Sequence, residues 1–380
     1  MATNKRVLII AGEASGDLYG GHLVKAIRTV DPSIYFLGMG GSHMKEAGVR
    51  LLRHAEEMAV VGLPGGKRLF TIFEAYREIA ASLIHWRPDL IILIDYPEFN
   101  LLIAGRAKRH GIPVMYYVSP QIWAWRSKRI DTIRRRVDRM VVILPFEKKL
   151  YQEAGVKVSF VGHPLLDLIE VKNGEGSLCR QYSKDGSRNL IGLLPGSRSS
   201  EISKLLPVML DTAAILVDMI PNIHFLVPLA PTISRGLVNP YLNGRNLPLT
   251  VVTYGTHEVI RACEMIVAAS GTVTLEAAIL GTPLVVVYKV NPLTYWFGKR
   301  LVKVNHVALV NIIAGETVAP ELIQHEVTPE LIARESMKIF NNDERKMWIK
   351  GRLKDVRQEL GTPGASEKAA AIALELMGRG

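Results

Sequence analysis

Leu190-Ile191-Gly192-Leu193-Leu194-Pro195-Gly196-Ser197-Arg198 and Met265-Ile266-Val267-Ala268-Ala269-Ser270-Gly271-Thr272-Val273-Thr274-Leu275-Glu276 decide the fold. Each opens as an apolar, strand-like run, passes through a turn of small residues and continues in a helical pattern. Gly, Ser and Thr let a phosphate approach backbone N–H groups closely, and the positive end of a following helix favours negative charge. Arg198 adds a planar fork of donors suited to phosphate oxygens. Glu276 falls a helical turn past Thr272, placed to accept from sugar hydroxyls. Either turn alone also reads as an ordinary bend or a helix cap. Their recurrence in one half of the chain points to a nucleotide diphosphate site, with Gly196, Ser197, Ser270, Gly271 and Thr272 as its contacts.

Outward from these turns, short apolar strands alternate with helical segments. Toward the N-terminus, strands are expected at 7–11, 35–38, 90–94, 114–118 and 140–144, with helices over 17–30, 70–85 and 101–110. Toward the C-terminus, strands are expected at 191–194, 224–228, 249–252, 265–268 and 284–288, with helices over 202–219 and 274–280. Such alternation implies parallel βαβ units. A polar stretch, 171–189, separates the two blocks. A helical tail over 344–377, broken near Gly361-Thr362-Pro363-Gly364, is too short to be a domain and is expected to pack back. The expected fold class is therefore α/β, two Rossmann-like domains facing a cleft. The first domain takes residues 1–168 joined by C-terminal helices 345–380, and the second takes 169–344.

The 380 residues are 48% hydrophobic, enough for two cores, and no apolar run approaches the ~20 residues that span a bilayer. Met1–Arg6 passes directly into Val7-Leu8-Ile9-Ile10, which leaves too little apolar length for a secretory signal. Cys179 and Cys263 fit a reducing compartment, with neither a disulfide framework nor a metal quartet. A cytoplasmic protein is expected. The net charge of +11 suggests an anionic partner. One basic cluster comprises Arg126, Lys128, Arg129, Arg134, Arg135, Arg136 and Arg139; another is Lys299, Arg300 and Lys303 beside Tyr295, Trp296 and Phe297. These read as partner surfaces or as solvated faces. Residues 58–73, with Lys67 and Arg68, read as a helix lying in a membrane interface or as a buried helix.

Three further stretches carry chemistry. Ala11-Gly12-Glu13-Ala14-Ser15-Gly16-Asp17 follows the first strand but lacks the dinucleotide fingerprint, and Glu13 and Asp17 would repel a pyrophosphate. A hydroxyl-bearing substrate is expected at Gly12, Glu13, Ser15 and Gly16. Gly62–Arg68 is one residue short of a P-loop and has Arg where the metal-binding Ser or Thr belongs, which excludes it. Asp95 ends the apolar run Leu90–Ile94, where ligands of open α/β sheets collect, and reads either as a general base or as a cap of the next turn. His163 reads as a substrate contact or a structural histidine. Ser119–Arg126 places Trp123 and Trp125 two apart, lining an amphiphilic groove or packing in a core.

The chain resembles the bacterial lipid-A-disaccharide synthases, glycosyltransferases of GT-B architecture. The resemblance rests on Ala11–Asp17, Tyr117–Arg126, Leu144-Pro145-Phe146-Glu147, Phe160-Val161-Gly162-His163-Pro164, both small-residue turns and Asn311-Ile312-Ile313-Ala314-Gly315, in order along most of the chain. It implies an inverting transfer from UDP-2,3-diacylglucosamine to 2,3-diacylglucosamine 1-phosphate. The products are a β-1,6-linked disaccharide 1-phosphate and UDP, and neither metal nor cofactor takes part. It also implies Asp95 as base, Arg198 at the departing diphosphate, Asn311 as a further catalytic position, and Thr272 and Glu276 as nucleotide-sugar contacts. An anionic membrane surface is the expected partner, docking through Lys67, Arg68, Lys299, Arg300 and Lys303. The location would be cytoplasmic, peripheral on the inner face of the inner membrane. The chain departs from the family at Asp95-Tyr96-Pro97-Glu98-Phe99-Asn100, where Asp-Ala-Pro-Asp-Phe-Asn is usual. Pro64-Gly65-Gly66 also interrupts a segment usually more helical. The alternatives are a UDP-sugar 2-epimerase of the same architecture and a basic nucleic-acid-binding protein. The latter leaves both phosphate turns and Asp95 unexplained, so no nucleic-acid partner is expected.

Overall fold

In the computed structural model, β1 (Arg6–Ala11), β2 (Tyr35–Gly40), β3 (Arg50–His54), β4 (Leu90–Ile94), β5 (Val114–Tyr117), β6 (Arg139–Val142) and β7 (Val158–Phe160) form a parallel sheet in the order β3-β2-β1-β4-β5-β6-β7. A second parallel sheet runs β10-β9-β8-β11-β12-β13. Its strands are β8 (Asn189–Leu194), β9 (Ile223–Pro228), β10 (Leu249–Val252), β11 (Met265–Ala269), β12 (Leu284–Tyr288) and β13 (Glu321–Ile323). The structure describes all residues except 1–3, 56–64, 124–127, 170–188, 231–232, 254, 292–304 and 379–380. Two units result, 1–167 with 360–380 and 168–359, each holding one sheet.

The central strands β4, β5 and β11 are buried along their whole length. A parallel strand covered on both faces has no polar side, so it reads as a continuous apolar run. That is why the middle of each sheet was expected nearly residue for residue. β3, β7 and β13 were not expected. All three lie at sheet edges, are short, and are largely half-buried. Only their pairing with a neighbour makes them strands.

Strand order reverses between β1 and β4 in the first sheet and between β8 and β11 in the second. Those switch points are where open parallel sheets bind ligands, outside the carboxyl ends of the strands. The turns after β1 and β4 flank the first; the two small-residue turns after β8 and β11 flank the second.

The tail divides differently from expectation. Helix Ala365–Leu376 packs on helix Ala14–Val30 of the first unit. Helix Asp343–Glu359, expected with it, belongs to the second unit, where it packs on helices Val273–Leu280 and Leu309–Ala314. Its Ile349, Leu353 and Val356 form the apolar stripe that requires this cover. The change of unit falls at the glycine-rich break. There Asp167 accepts from the N–H groups of Gly364 (2.6 Å) and Ala365 (3.0 Å), capping the last helix.

Helix Gly65–His85 takes Gly65 and Gly66 into its first turn, while Pro64 lies outside the described residues. Ala75, Ile79 and Leu83 face the core, while Phe70, Phe73 and Ile84 are exposed. No described helix is long and apolar enough to cross a membrane.

Candidate active site

At the end of β4 the backbone turns through two consecutive left-handed residues, Asp95 (φ 46°) and Tyr96 (φ 45°). Val118, just past the adjacent β5, is left-handed too (φ 63°). Such conformations cost about 1–3 kcal/mol each for non-glycine residues and persist only where surroundings impose them. Here the restraint is visible. Asn100 Nδ2 donates to the carbonyls of Ile94 (3.1 Å) and Asp95 (2.7 Å), and the buried Tyr116 hydroxyl donates to Asp95 O (2.5 Å). Helix Pro97–Arg109 then begins at once, with Tyr96 as its N-cap residue. Burial pushes the Asp95 carboxyl up to about 6, and the nearby carboxylates of Glu13 and Glu98 push the same way. A carboxylate with that affinity is a useful proton acceptor near neutral pH.

The turn after β1 lies against this feature. A Cβ on Gly12 would meet the Tyr96 ring at 2.5 Å, so only glycine fits beneath it. Asp17, read as repelling a pyrophosphate, is buried. Its carboxylate accepts from the N–H groups of Gly41 (2.6 Å), His43 (3.0 Å) and Met44 (3.1 Å), holding the turn after β2. Glu13 precedes helix Ala14–Val30, and Ser15 and Gly16 form its first turn. A Cβ on Gly16 would meet Ala11 and Ile94 at 3.4 Å, an ordinary contact, so the packing there does not demand glycine.

His163 is a core group. It is 3% exposed, its ring stacks edge-on to Tyr19, and Nδ1 accepts from the Leu165 N–H at 3.2 Å. Burial pushes it down to about 3, so it is neutral. Its backbone N–H donates to Leu360 O (2.9 Å), and Gly162 leaves room for Thr362 O. The Gly162-His163-Pro164 motif is thus the seat of the C-terminal segment.

Trp123 is structural as well. Its indole N–H donates to Glu147 (3.2 Å) and its ring meets Phe146 edge-on. Glu147 is 1% exposed and burial pushes its carboxyl up to about 8. Trp125 and Arg126 lie outside the described residues. Much of the arginine cluster serves the first unit itself. Arg129 pairs with Glu98, Arg136 donates to Leu101 O (2.8 Å), and Arg139 pairs with Glu375 (3.2 Å).

The second unit's switch point is built from different residues. Gly196 (φ 115°) turns the chain after β8, and a Cβ there would collide with Glu201. The Ser197 and Arg198 N–H groups, expected to face a phosphate, donate to Glu201 Oε2 at 3.0 and 3.2 Å. Glu201 Oε1 meets Arg198 Nη1 at 3.3 Å, while the guanidinium side chain stays 70% exposed. Glu three residues after a cap is a legible capping signal; it shows that this turn holds an anion, here its own carboxylate. After β11, Ser270 Oγ donates to Val307 O (3.3 Å), and Thr274 Oγ1 back to Gly271 O (2.9 Å). A Cβ on Gly271 would meet only open space. Thr272 starts helix Val273–Leu280, and Glu276 in its first turn lies 3.5 Å from His257, whose ring it pushes up.

Asn311 is fully engaged within the protein. Its Nδ2 donates to Ala319 O (2.7 Å) and Glu321 Oε1 (2.8 Å); its Oδ1 accepts from the Val318 and Ala319 N–H groups (both 2.9 Å). Lys67 and Arg68 lie on helix Gly65–His85, without a described side-chain environment; Lys299, Arg300 and Lys303 lie outside the described residues.

Residues 7–376 match the family described as lipid-A-disaccharide synthetase. Two similar proteins are lipid-A-disaccharide synthases, one from Trichlorobacter lovleyi (48% identical, covering 98% of both chains) and one from Geobacter metallireducens (46% identical, covering 100% of this chain and 99% of the relative). Among solved structures, the UDP-GlcNAc 2-epimerase of Neisseria meningitidis bound to UDP-GlcNAc superposes with a TM-score of 0.67 at 11% identity, covering 97% of this chain and 100% of that one. A calicheamicin glycosyltransferase gives 0.63 at 14% identity, covering 99% of both. Both structural likenesses speak to fold alone.

Proposed function

The chain belongs to the lipid-A-disaccharide synthetase family, and from that premise we propose that it condenses UDP-2,3-diacylglucosamine with 2,3-diacylglucosamine 1-phosphate. The products are a β-1,6-linked disaccharide 1-phosphate and UDP. The transfer inverts the anomeric centre and uses neither metal nor cofactor.

The geometric observation that carries this reading is Asp95. Its carboxyl is raised to about 6 and is presented on a doubly left-handed turn gripped by Asn100 and Tyr116. Asp95 takes the proton of the acceptor's attacking hydroxyl. Single displacement at the anomeric carbon then expels UDP with inversion, and no covalent enzyme intermediate forms. The second unit holds the donor. Arg198 neutralises charge growing on the departing diphosphate, Ser270–Thr272 and the start of helix Val273–Leu280 face its phosphates, and Glu276 accepts from sugar hydroxyls. Donor phosphates entering at Ser197 and Arg198 replace the Glu201 carboxylate on the same N–H groups. Asn311, with its amide saturated by the protein, acts by holding structure rather than by touching substrate.

The first unit receives the acylated acceptor at a membrane surface. The exposed Phe70 and Phe73, with Arg77 over the Phe73 ring, support peripheral docking of helix Gly65–His85 beside Lys67 and Arg68. Lys299, Arg300 and Lys303 supply a second basic contact. The place of action is the cytoplasmic face of the inner membrane.

Incubation with the two acylated glucosamines, followed by mass spectrometry of the lipid, tests the reaction. Formation of the tetra-acyl disaccharide 1-phosphate, unchanged in excess EDTA, is expected. Epimerised UDP-sugar without disaccharide would defeat the reading.

A further inference from the structure

Glu321 opens the edge strand β13 and its side chain is only 9% exposed. Its Oε2 accepts from the Val307 N–H at 2.8 Å. Its Oε1 accepts from the Ala308 N–H at 3.0 Å and from Asn311 Nδ2 at 2.8 Å. His306 Nδ1 lies 3.9 Å from Oε1. One carboxylate therefore gathers two donors from the segment entering helix Leu309–Ala314 and a third from Asn311 within it. The same Val307 presents its carbonyl to the Ser270 hydroxyl at 3.3 Å. An unbroken path runs from Glu321 through Val307 to the Ser270-Gly271-Thr272 turn, and Asn311 braces it from the other side through Val318 and Ala319.

A carboxylate suits this place because it has two accepting oxygens and no donor. A glutamine of the same shape would aim an NH2 at a backbone N–H from one of its two positions. The burial of the charge is compensated only while all three donors stay in place. The arrangement thus couples the position of Val307 to Glu321, and the rotor of Ser270 to Val307.

We infer that Glu321 is a positioning residue for the donor: it fixes Val307, and through it the Ser270 hydroxyl, so that the turn after β11 meets the nucleotide sugar in one geometry. The inference rests on the reading of that turn as the donor site. It also gives Asn311 its function, as the second brace of the same segment.

The full-length enzyme tests this with initial rates in both substrates and with calorimetric titration of UDP. Glu321→Gln should raise the donor KM and the UDP Kd about tenfold, the size of one lost charge-assisted hydrogen bond. The acceptor KM should stay within about twofold. Ser270→Ala should raise the donor KM as well, and the double variant should be no worse than the more affected single variant, because both cut one path. Glu321→Asp keeps the charge with a shorter reach; it should fall between wild type and Gln, and it serves if the Gln variant does not fold. A wild-type donor KM in either folded Glu321 variant, equal rises in both KM values, or full additivity with Ser270→Ala would overturn the inference. If the wild-type chain makes no disaccharide, the proposed reaction fails, while UDP titration of the same variants still decides the role of Glu321.

Discussion

The two switch points share one topology and carry opposite chemistry. Between β1 and β4 the first unit gathers carboxylates, Glu13, Asp95 and Glu98, and burial, with repulsion from the other two, raises the Asp95 carboxyl to about 6. Between β8 and β11 the second unit gathers Gly, Ser, Thr, Arg198 and two helix starts, all favourable to anions. The strand orders match over six positions, and β7 extends the first sheet by one more. On the proposed reading, the scaffold decides where ligands gather, and the few residues after each central strand decide which ligands those are. The backbone differs as well. At the first switch point it is strained, with non-glycine residues in left-handed conformations; at the second the left-handed position belongs to Gly196. Strain at a proton acceptor fixes the direction of its carboxylate, whereas a phosphate needs open N–H groups and room for approach.

Removing one feature from each switch point should have unequal effects. Asp95→Asn keeps shape and volume but cannot take a proton, so turnover should fall about 10²–10⁴-fold. Lipid product quantified by mass spectrometry checks it, and near-wild-type turnover by a folded variant would dismiss Asp95 as the base. Arg198→Ala should raise the donor KM, lower turnover, or both, about 10–100-fold in kcat/KM, the range expected for lost charge-assisted bonds. Lysine should rescue only partly, lacking the fork. If donor kinetics were unchanged, the contrast between a proton site and a phosphate site would collapse.

A third experiment separates chemistry from stability within the first switch point. Because the base must be ionised, kcat/KM should rise as pH climbs through about 6, and Glu13→Gln, which removes a neighbouring negative charge, should move that limb to lower pH. Asp95 is raised from 3.8 to about 6 in the folded chain, so its ionisation disfavours folding. The cost is absent below about pH 4, grows between the two values and is complete above about 6. Asp95→Asn should therefore stabilise the protein by on the order of 2 kcal/mol at pH 7 and by little at pH 4. Equal denaturation midpoints for the two proteins at pH 7 would break the link between burial and basicity.

The smallest effects belong to membrane docking. Binding to anionic vesicles should weaken with salt, and removing the charges of Lys67 and Arg68, or separately of Lys299, Arg300 and Lys303, should cost about 1 kcal/mol per charge at most. Phe70→Ser and Phe73→Ser should weaken binding to neutral vesicles as well. Vesicle sedimentation insensitive to salt and to all of these changes would leave docking without an electrostatic or an apolar basis.

What could be read from the chain follows from the range of the forces involved. β4, β10 and β12 were expected with the ends they have, since a short apolar run bounded by turns is a local signal. Helix Pro97–Arg109 was expected to start at residue 101, because the left-handed Asp95–Tyr96 pair that lets it start at Pro97 is held by Tyr116, on another strand. Asp95, Arg198 and the Ser-Gly-Thr turn, the residues of the proposed site, stand out in the sequence because each follows an apolar strand. Glu321 does not, since its donors come from Val307, Ala308 and Asn311 and nothing beside it in the chain marks it. Asp17 and His163 were singled out as polar residues in suggestive turns, and folding gives both to the protein's own backbone.

By itself, then, the sequence determined the α/β class, the central strands and the family, all of which depend on hydrophobic periodicity and residues close in the chain. Only the tertiary structure decided the edge strands β3, β7 and β13, the separation of helix Asp343–Glu359 from helix Ala365–Leu376, and the turn of Asp17, His163 and Asn311 inward. Those outcomes depend on hydrogen bonds and burial between separate segments, from 7 residues apart at Asn311 to 197 at Asp167. A buried polar group takes whichever partner folding brings to it, and that partner is not written beside it in the chain.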